Sequence, residues 1–474
     1  MELDNRQKLE QRLEKAGLRD VFLSFLRSEA FGGVFLFFAA VAAMIVANSP
    51  LSEAYFKFWH LDLGLEIQGL MHPFPALAHL GATGEGRSLF VGFSIHEWIS
   101  DVLMAVFFLM VGLEIKREVL FGELASFKKA IFPALAALGG MVVPGLIYYG
   151  LNFGTPSAHG FGIPMATDIA FALGVIMLLK SRVPMALKVF LVTLAVVDDL
   201  GAIVVIAIFY ASDLHFMWML VALGFIAVLI ALNKLGVKAL TPYIIVGIGL
   251  WFAVHHSGIH ATIAAVILAF CIPIRPKISF EEFAPFIKDT TDSFARANRQ
   301  DQTFLNESQV RNLRDMQKRI SMIQSPLGRL ERALHPWSAY FIMPLFGFAN
   351  AGVEIGGDIG FGDILKIDHI FLGVALGLII GKPLGIFITT FACEKLGIAA
   401  RPNGVSWLQI LGAGMLAGIG FTMSIFVSNL AFENTAHAQA ATEISKIAIL
   451  SGSILSGIIG AVFLIFTAKL KKNK

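Results

Sequence analysis

Charge is scarce in this sequence. Only 15% of its 474 residues are Asp, Glu, Lys or Arg, while 56% are hydrophobic, and the mean hydropathy is +0.74. A typical soluble domain has about 25% charged residues. A chain with so little polar surface does not fold as a soluble globular protein, so we expect a multi-pass membrane protein.

Cysteine is scarce too, and its placement excludes two classes of small site. Cys271 and Cys393 lie in or beside apolar segments, without the spacing of zinc ligands, so neither a disulfide framework nor a zinc site is predicted. The net charge of +3 comes from Lys and Arg spread over short connections rather than gathered on one basic face. Nucleic acid is therefore not an expected partner.

Long apolar runs organise the chain. A run of about 20 apolar residues can cross the hydrocarbon core of a bilayer as a helix. About twelve such runs occur, near 30–48, 96–115, 129–151, 163–179, 185–210, 216–233, 239–255, 259–275, 336–353, 369–393, 406–430 and 445–468. They divide the chain into an amphipathic N-terminus (1–29), a membrane part (30–275), a long loop (276–334), a second membrane part (335–470) and a short tail (471–474).

The distribution of Lys and Arg predicts the topology. These residues are frequent at both termini and in every second connection, including 116–129, 180–188, 234–238 and 276–334. By the positive-inside rule both termini and the loop 276–334 are cytoplasmic. The connection 49–95 is then extracytoplasmic, and alternating apolar residues between Tyr55 and Gln68 predict a short hairpin there, followed by a loop over 72–87. An exposed hairpin edge can pair with a second copy of the chain, and this is the physical support that the sequence gives for a homodimer.

Two adjacent aspartates, Asp198 and Asp199, lie near the middle of the run 185–210. An ionised carboxylate at the centre of a membrane helix costs about 2.5–3.5 kcal/mol, and neighbouring carboxylates repel each other. A soluble core helix with a polar kink does not fit the length of this run. Carboxylate oxygens suit hard cations, and the two acids titrate as a coupled pair. The pair therefore predicts a site that exchanges a proton for a cation.

Thr167 and Asp168 interrupt another apolar segment, close after Pro164. Two interpretations stay open here. The segment is either a broken helix whose free backbone groups face ions, or a helix that starts late with Thr167 or Asp168 as its N-terminal cap.

A glycine-rich run, Gly412, Gly414, Gly418 and Gly420, interrupts the next-to-last span. Small residues in membrane helices commonly permit close packing. Yet this interruption has the same place between two full spans as the one at Thr167 and Asp168. The correspondence predicts two repeats of three spans, over 129–210 and 369–468.

Lys382 lies about midway along the span 369–393. A lysine at that depth needs a carboxylate partner or carries a functional proton, because its side chain is too short to reach the membrane surface. Asp198 or Asp199 is the expected partner.

At these motifs the chain resembles the NhaA-type bacterial sodium/proton antiporters. The resemblance implies an all-α polytopic fold of about twelve transmembrane helices, with two inverted repeats and two interrupted, crossing helices between a panel and a core domain. It also implies the bacterial inner membrane. The matching stretches are FFLMVGLEIKRE at 107–118, ATDIAFALG at 166–174, SRVP at 181–184, VDDLGA at 197–202, LHPW at 334–337, FANAG at 348–352, GKPLG at 381–385 and GIGFTMSI at 418–425.

The same resemblance implies a role for each site residue. Asp199 matches the main cation ligand and Asp198 the second acid, which pairs with Lys382. Thr167 and Asp168 match the polar residues at the helix crossing, where they contribute to the site for the transported Na+.

A further set of residues matches the family's positions of pH response: Glu114, Arg117, Glu118, Glu331 and His260. Without the resemblance, the first three are ordinary charges on one face of a helix end. The chain departs from the pattern in its long loop 276–334, in an extended 49–95 connection, and in Gly328 and Arg332, which replace ionisable residues of some relatives.

The predicted function is secondary active antiport, not enzymatic catalysis. The chain is expected to export Na+, and also Li+, in exchange for H+ by competition at the aspartate site, with regulation by pH and without a cofactor. One alternative is a related sodium-coupled transporter of organic anions, which needs a larger cavity with basic contacts. Another is a proton-conducting channel or subunit, which conducts without Na+.

Overall fold

The computed structural model describes residues 29–68, 88–179, 182–211, 214–296, 304–354, 368–433 and 438–472. The predicted N-terminal segment before Glu29 and the loop 72–87 lie outside these residues. The helices in chain order are α1 (Glu29–Ala47), α2 (Ser52–Trp59), α3 (Ile95–Phe121), α4 (Phe127–Leu151), α5 (Ile169–Leu178), α6 (Met185–Phe209), α7 (Phe216–Lys234), α8 (Leu240–His255), α9 (Thr262–Cys271), α10 (Phe280–Arg296), α11 (Glu307–Ile323), α12 (Pro326–Trp337), α13 (Met343–Asn350), α14 (His369–Lys395), α15 (Trp407–Ala417), α16 (Phe421–Phe432) and α17 (Ala438–Lys472). A 3₁₀ helix, Pro156–Met165, precedes α5.

The fold class predicted from the apolar runs is confirmed: the protein is an all-α polytopic membrane protein. Among the described residues, seven helical segments are long and apolar enough to cross a bilayer, and two bent helix pairs also qualify. Helices α8 and α9 are apolar but shorter. The count of twelve spans remains a prediction.

A hairpin is present, but it is formed by two antiparallel strands on either side of the predicted loop, β1 (Asp62–Gln68) and β2 (Ser88–Ser94), so its second strand lies outside the predicted segment. The extended structure expected from Tyr55 is wrong, however, because that residue belongs to α2. Tyr55 and Trp59, both buried, are four residues apart and their rings make an edge contact at 5.7 Å, while each ring also contacts Phe348. Helical i, i+4 spacing places both rings on one face, and this packing decides the local structure.

One of the two compact units comprises residues 105–117 and 211–338. Tyr243, Leu250 and Leu268 lie in its buried core. The long loop of this unit contains two helices, α10 and α11, which pack together, with the Arg319 guanidinium 4.5 Å from the ring centre of Phe286.

The other unit holds the remaining described residues, and in it one order of elements occurs twice. A full helix, an interrupted helix and a second full helix follow one another from α4 to α6 and again from α14 to α17. Helices α4 and α14 pack together closely at Gly139 and Gly385. That these repeats are inverted remains a prediction.

Gly385→Ala tests this close packing. The added methyl group would meet the carbonyl oxygen of Gly139, and overpacking of this kind costs about 1–3 kcal/mol. We expect a lower melting temperature for the detergent-purified protein. Gly150→Ala on α4 is the control, because nothing lies within 4 Å of its Cβ position and alanine favours a helix. Equal melting temperatures for the two variants would contradict the contact.

Candidate ion-binding site

The first interrupted helix breaks at Ala166, Thr167 and Asp168. The 3₁₀ helix ends at Met165, and the backbone is extended at Ala166 (φ −77°, ψ 149°) and at Asp168 (φ −85°, ψ 99°) before α5 begins at Ile169. The carbonyl oxygen of Asp168 accepts the first helical hydrogen bond of α5, from the N–H of Ala172 at 2.9 Å, but its own N–H has no partner within the helix. The carbonyl groups before the break and the N–H groups after it therefore need other partners.

The second interrupted helix breaks between Ala417 and Phe421, where α15 and α16 meet at a bend of 50°. The two breaks contact each other directly, because the N–H of Asp168 donates a hydrogen bond of 2.7 Å to the carbonyl oxygen of Ile419. The interruption predicted at the glycine-rich run is confirmed, and at Thr167 and Asp168 the structure shows the broken helix that was one of two interpretations.

The carboxylate of Asp168 binds the first turns of both helices that begin at this crossing. Its Oδ1 accepts from the N–H of Phe171 on α5 at 3.0 Å. Its Oδ2 accepts from Oγ1 and the N–H of Thr422 on α16, at 2.5 and 3.2 Å. Helix N-termini carry partial positive charge. Asp168 is therefore the N-terminal cap of α5. The segment is also a broken helix, so both interpretations of the sequence apply.

Lys382 forms the predicted ion pair with Asp198. Its Nζ lies 2.8 Å from Oδ2 of Asp198, and both side chains are fully buried. The same ammonium group donates a hydrogen bond to the carbonyl oxygen of Met165, the last residue of the 3₁₀ helix. Lys382 thus compensates a carboxylate and also the negative end of a half-helix.

Thr167 adds a hydroxyl group to this pair. Its Oγ1 lies 2.7 Å from Oδ2 of Asp198 and 3.0 Å from the carbonyl oxygen of Ala417, and its single proton is shared between these acceptors. Oδ1 of Asp198 has no hydrogen-bond partner among the described residues. One buried carboxylate oxygen therefore keeps its lone pairs for a proton or a cation.

Asp199 is the neighbouring acid on α6, and its side chain is directed about 100° away from that of Asp198. The residue is only 2% exposed. Its charge also attracts the ammonium group of Lys382. When both acids are ionised and Lys382 is protonated, the three groups carry a net charge of −1. The arrangement can bind one monovalent cation or one additional proton.

Arg117 and Glu331 of the predicted pH-response set form an ion pair, with side chains 44% and 13% exposed. Glu114 lies one turn before Arg117 on α3, and Oε2 of Glu118 accepts from the N–H of Glu123 at 3.3 Å. The ion pair was not predicted as such, because its partners are 214 positions apart.

His260 lies away from that ion pair. It precedes the first residue of α9, and its Nδ1 is 2.8 Å from Oγ1 of Thr262. Lys116, the neighbour of Arg117, donates instead to the carbonyl groups of Phe270 and Ile272 at the other end of α9. Ten helical residues separate these ends by about 15 Å. The pH-response role of all five residues remains a prediction.

Three contributors to the crossing were missed: Thr422, the carbonyl group of Met165, and Ser453, whose Oγ accepts from the N–H groups of Gly420 and Phe421 at 3.2 and 3.1 Å. A hydroxyl residue in an apolar span was the available signal for the two side chains. The partner carbonyl could not be read from residue types.

A buried, negatively charged site at the crossing of two interrupted membrane helices is the arrangement of an ion-coupled secondary transporter. The chain matches the family model described as Na+/H+ antiporter 1 over residues 23–464 and belongs to this family, as the resemblance of its motifs implied. Members of the family are secondary transporters rather than enzymes.

Curated relatives match over most of their length. The Na(+)/H(+) antiporter NhaA of Wolinella succinogenes is 57% identical over 406 residues, which is 85% of each chain. The Na(+)/H(+) antiporter NhaA 2 of Helicobacter hepaticus is 57% identical over 85% of this chain and 86% of its own. The Na(+)/H(+) antiporter NhaA of Helicobacter pylori strain HPAG1 is 58% identical over 84% of this chain and 85% of its own.

The ion pair of Lys382 and Asp198 predicts strong coupling in a double-mutant cycle. Lys382→Gln alone leaves Asp198 buried without its counter-charge, and breaking such a pair costs about 3–5 kcal/mol. Adding Asp198→Asn removes the unpaired charge, so we expect the double variant to recover stability. Melting temperatures in detergent for the four proteins measure this coupling.

The exposed ion pair of Lys57 and Glu53 is the matched control. Its atoms lie 2.6 Å apart, but the side chains are 74% and 79% exposed, and such pairs contribute about 0–1 kcal/mol. The corresponding Gln variants should show little coupling. If the effects of Lys382→Gln and Asp198→Asn simply add, the buried pair does not stabilise the protein.

Proposed function

We propose that this protein exchanges Na+ for H+ across the membrane by competition at the site of Asp198 and Asp199. The observation that carries the proposal is the buried pair of acids with a single lysine as counter-charge and one carboxylate oxygen free of protein hydrogen bonds among the described residues. The antiporter family of the chain, and the names of relatives at 57% identity, support the identity of both ions.

Charge balance explains why the two ions exclude each other. The site has a net charge of −1 when Asp198, Asp199 and Lys382 are all ionised, and either one Na+ or one proton neutralises it. The carboxylate of Asp168 is compensated separately, by hydrogen bonds from the starts of α5 and α16. Na+ and a proton bound together would therefore leave Asp198, Asp199 and Lys382 with a net positive charge, which is costly away from water. Na+ therefore displaces a proton, and a proton displaces Na+, so transport of one ion is coupled to transport of the other.

Lys382 contributes to this coupling through its contact with Asp198. A Na+ bound at Asp198 would repel the ammonium group 2.8 Å from Oδ2, which favours opening of the ion pair or release of the lysine proton. Thr167 supplies a further oxygen atom 2.7 Å from Asp198, and the carbonyl oxygen of Ala417 lies 3.0 Å from that hydroxyl group. Asp168 holds the crossing together and completes the polar surroundings of the site.

The alternatives fit the charges less well. An organic anion would have to bind near a site of net negative charge whose lysine already pairs with Asp198. A proton channel does not require Na+, whereas the free carboxylate oxygen of Asp198 and the hydroxyl group of Thr167 beside it offer hard oxygen ligands to a cation. Sodium-stimulated proton efflux from acid-loaded proteoliposomes separates an exchanger from a channel, because a channel releases protons without Na+.

The proposal also covers the membrane in which the exchanger lies, its second cation, its response to pH and its oligomeric state. The chain lies in the bacterial inner membrane with both termini cytoplasmic, as the Lys and Arg distribution favours. It also accepts Li+, a smaller cation of the same charge, and responds to pH through charged residues such as the pair of Arg117 and Glu331. Two copies associate through the β1–β2 hairpin, whose strands have open edges in the described sheet.

Asp199→Asn should abolish exchange while the protein still inserts into the membrane, because an amide cannot alternate between a proton and a cation. The measurement is sodium-driven proton flux in proteoliposomes that contain equal amounts of protein. Asp292→Asn, at an exposed acid on α10, serves as the control and should retain flux. Near-normal flux in Asp199→Asn would remove Asp199 from the mechanism.

A further inference from the structure

An apolar groove of about 530 Å³ lies beside the helix crossing. Helix α1 forms one wall and α17 the other, while residues from the first turns of α5 and α16 form its inner end. The volume is typical of a pocket for a small organic ligand. The lining residues are Phe37, Ala40, Val41, Met44, Ile45, Asn48, Phe171, Phe421, Leu450, Ser453 and Ile454.

The chemistry of the lining excludes a charged ligand. No lining residue is charged, and only Asn48 and Ser453 are polar. The side-chain amide of Asn48 donates to the carbonyl groups of Met44 and Val353 at 2.9 and 2.8 Å. Oγ of Ser453 accepts from two backbone N–H groups of the crossing. Both polar side chains are thus engaged, and the remaining surface suits hydrocarbon.

The length of the groove matches one leaflet of a bilayer. Its wall along α1 runs from Phe37 to Asn48, just after the end of the helix, and the eleven steps between them cover about 16 Å. The hydrocarbon core of a bilayer is about 30 Å thick, so each leaflet contributes about half of it. The bordering side chains of Phe38, Ile45 and Ile454 are 62%, 64% and 48% exposed. On membrane-spanning helices these side chains face lipid, and the groove therefore opens to the hydrocarbon.

We propose that this groove binds one acyl chain of a membrane phospholipid. The chain lies along α1 between the membrane centre and the Asn48 end, and its terminal carbons contact the rings at the inner end. A hydrocarbon chain satisfies the three observations together: an uncharged lining, a length of one leaflet and an opening toward the membrane.

The bound chain contacts residues that also belong to the crossing. The rings of Phe171 and Phe421 lie 5.9 Å apart, and the ring of Phe37 lies 6.1 Å from that of Phe171. The N–H of Phe171 donates to Asp168, and the N–H of Phe421 donates to Ser453. A chain that fits this shape of the groove favours the conformation of the crossing that produces it.

Photolabelling of the full-length protein in vesicles tests the site. The probe is a phosphatidylglycerol with a diazirine at the end of one acyl chain, at increasing mole fraction. Labelling around Phe37, Phe171 and Phe421, where the chain terminus lies, should exceed labelling of α7 several-fold and should saturate, since a site has a limited capacity. Helix α7, with exposed Met217, Leu220 and Leu223, reports ordinary lipid contact and should rise in proportion to the probe.

Variants that fill the groove provide the matched comparison. Val41→Trp and Ile454→Trp narrow it from opposite walls and should lower its labelling to the level of α7. Phe38→Trp and Val462→Trp lie on the same two helices outside the lining and should leave it unchanged.

Proportional labelling without saturation, or labelling that neither groove variant reduces, would overturn the proposal. Labelling below that of α7 would overturn it too, because a second copy or another protein then covers the groove. These measurements need no transport, so their failure is distinct from a failure of Na+/H+ exchange.

Discussion

The four charged side chains buried at the helix crossing constrain the rest of the structure. Each ionised group at the centre of a membrane helix costs about 2.5–3.5 kcal/mol unless the protein compensates it. Asp168 is compensated by three hydrogen-bond donors from the starts of two helices. Lys382 is compensated by Asp198 and by a carbonyl oxygen. The interruptions of both helices supply the backbone groups that this compensation requires.

The two interruptions and the buried charges therefore depend on one another. A continuous helix satisfies its own N–H and carbonyl groups and offers nothing to a buried ion. A broken helix leaves such groups free, and these are costly in hydrocarbon unless a charged or polar side chain binds them. Asp168 binds free N–H groups, and Lys382 binds the free carbonyl group of Met165. Without the buried charges, the free backbone groups would lack partners. Without the interruptions, the charges would lack the backbone groups that compensate them.

Much of this site could be predicted from the sequence because charge in an apolar run is conspicuous. Asp198, Asp199 and Lys382 could be recognised in this way, and so could the breaks near Asp168 and Gly418. The contacts of Asp168 with Thr422 could not, because the two are 254 positions apart and nothing local relates them. Backbone partners such as the Met165 carbonyl carry no signature in residue type.

The same reasoning explains the local errors in the fold. Phe56 and Phe58 recur at every second position, and so do Leu61, Leu63 and Leu65, a pattern that favours a strand. Tyr55 and Trp59 give the first part of this segment a helical spacing as well, and the contact of their buried rings with Phe348 decides between the two. Alternation alone predicted β1 correctly, where the paired strand β2 supplies the hydrogen bonds.

The ion pair of Lys382 and Asp198 is explained better by transport than by stability. Well-packed apolar residues in place of a buried ion pair are often neutral or stabilising, so stability alone does not account for its presence. An exchanger needs a carboxylate whose partner can be replaced by a cation of equal charge. The ammonium group of Lys382 beside Asp198 neutralises the acids in part, and in the exchange proposed above a bound Na+ would repel it. The ion pair therefore stabilises the Na+-free state of the site, and binding of Na+ can still open it.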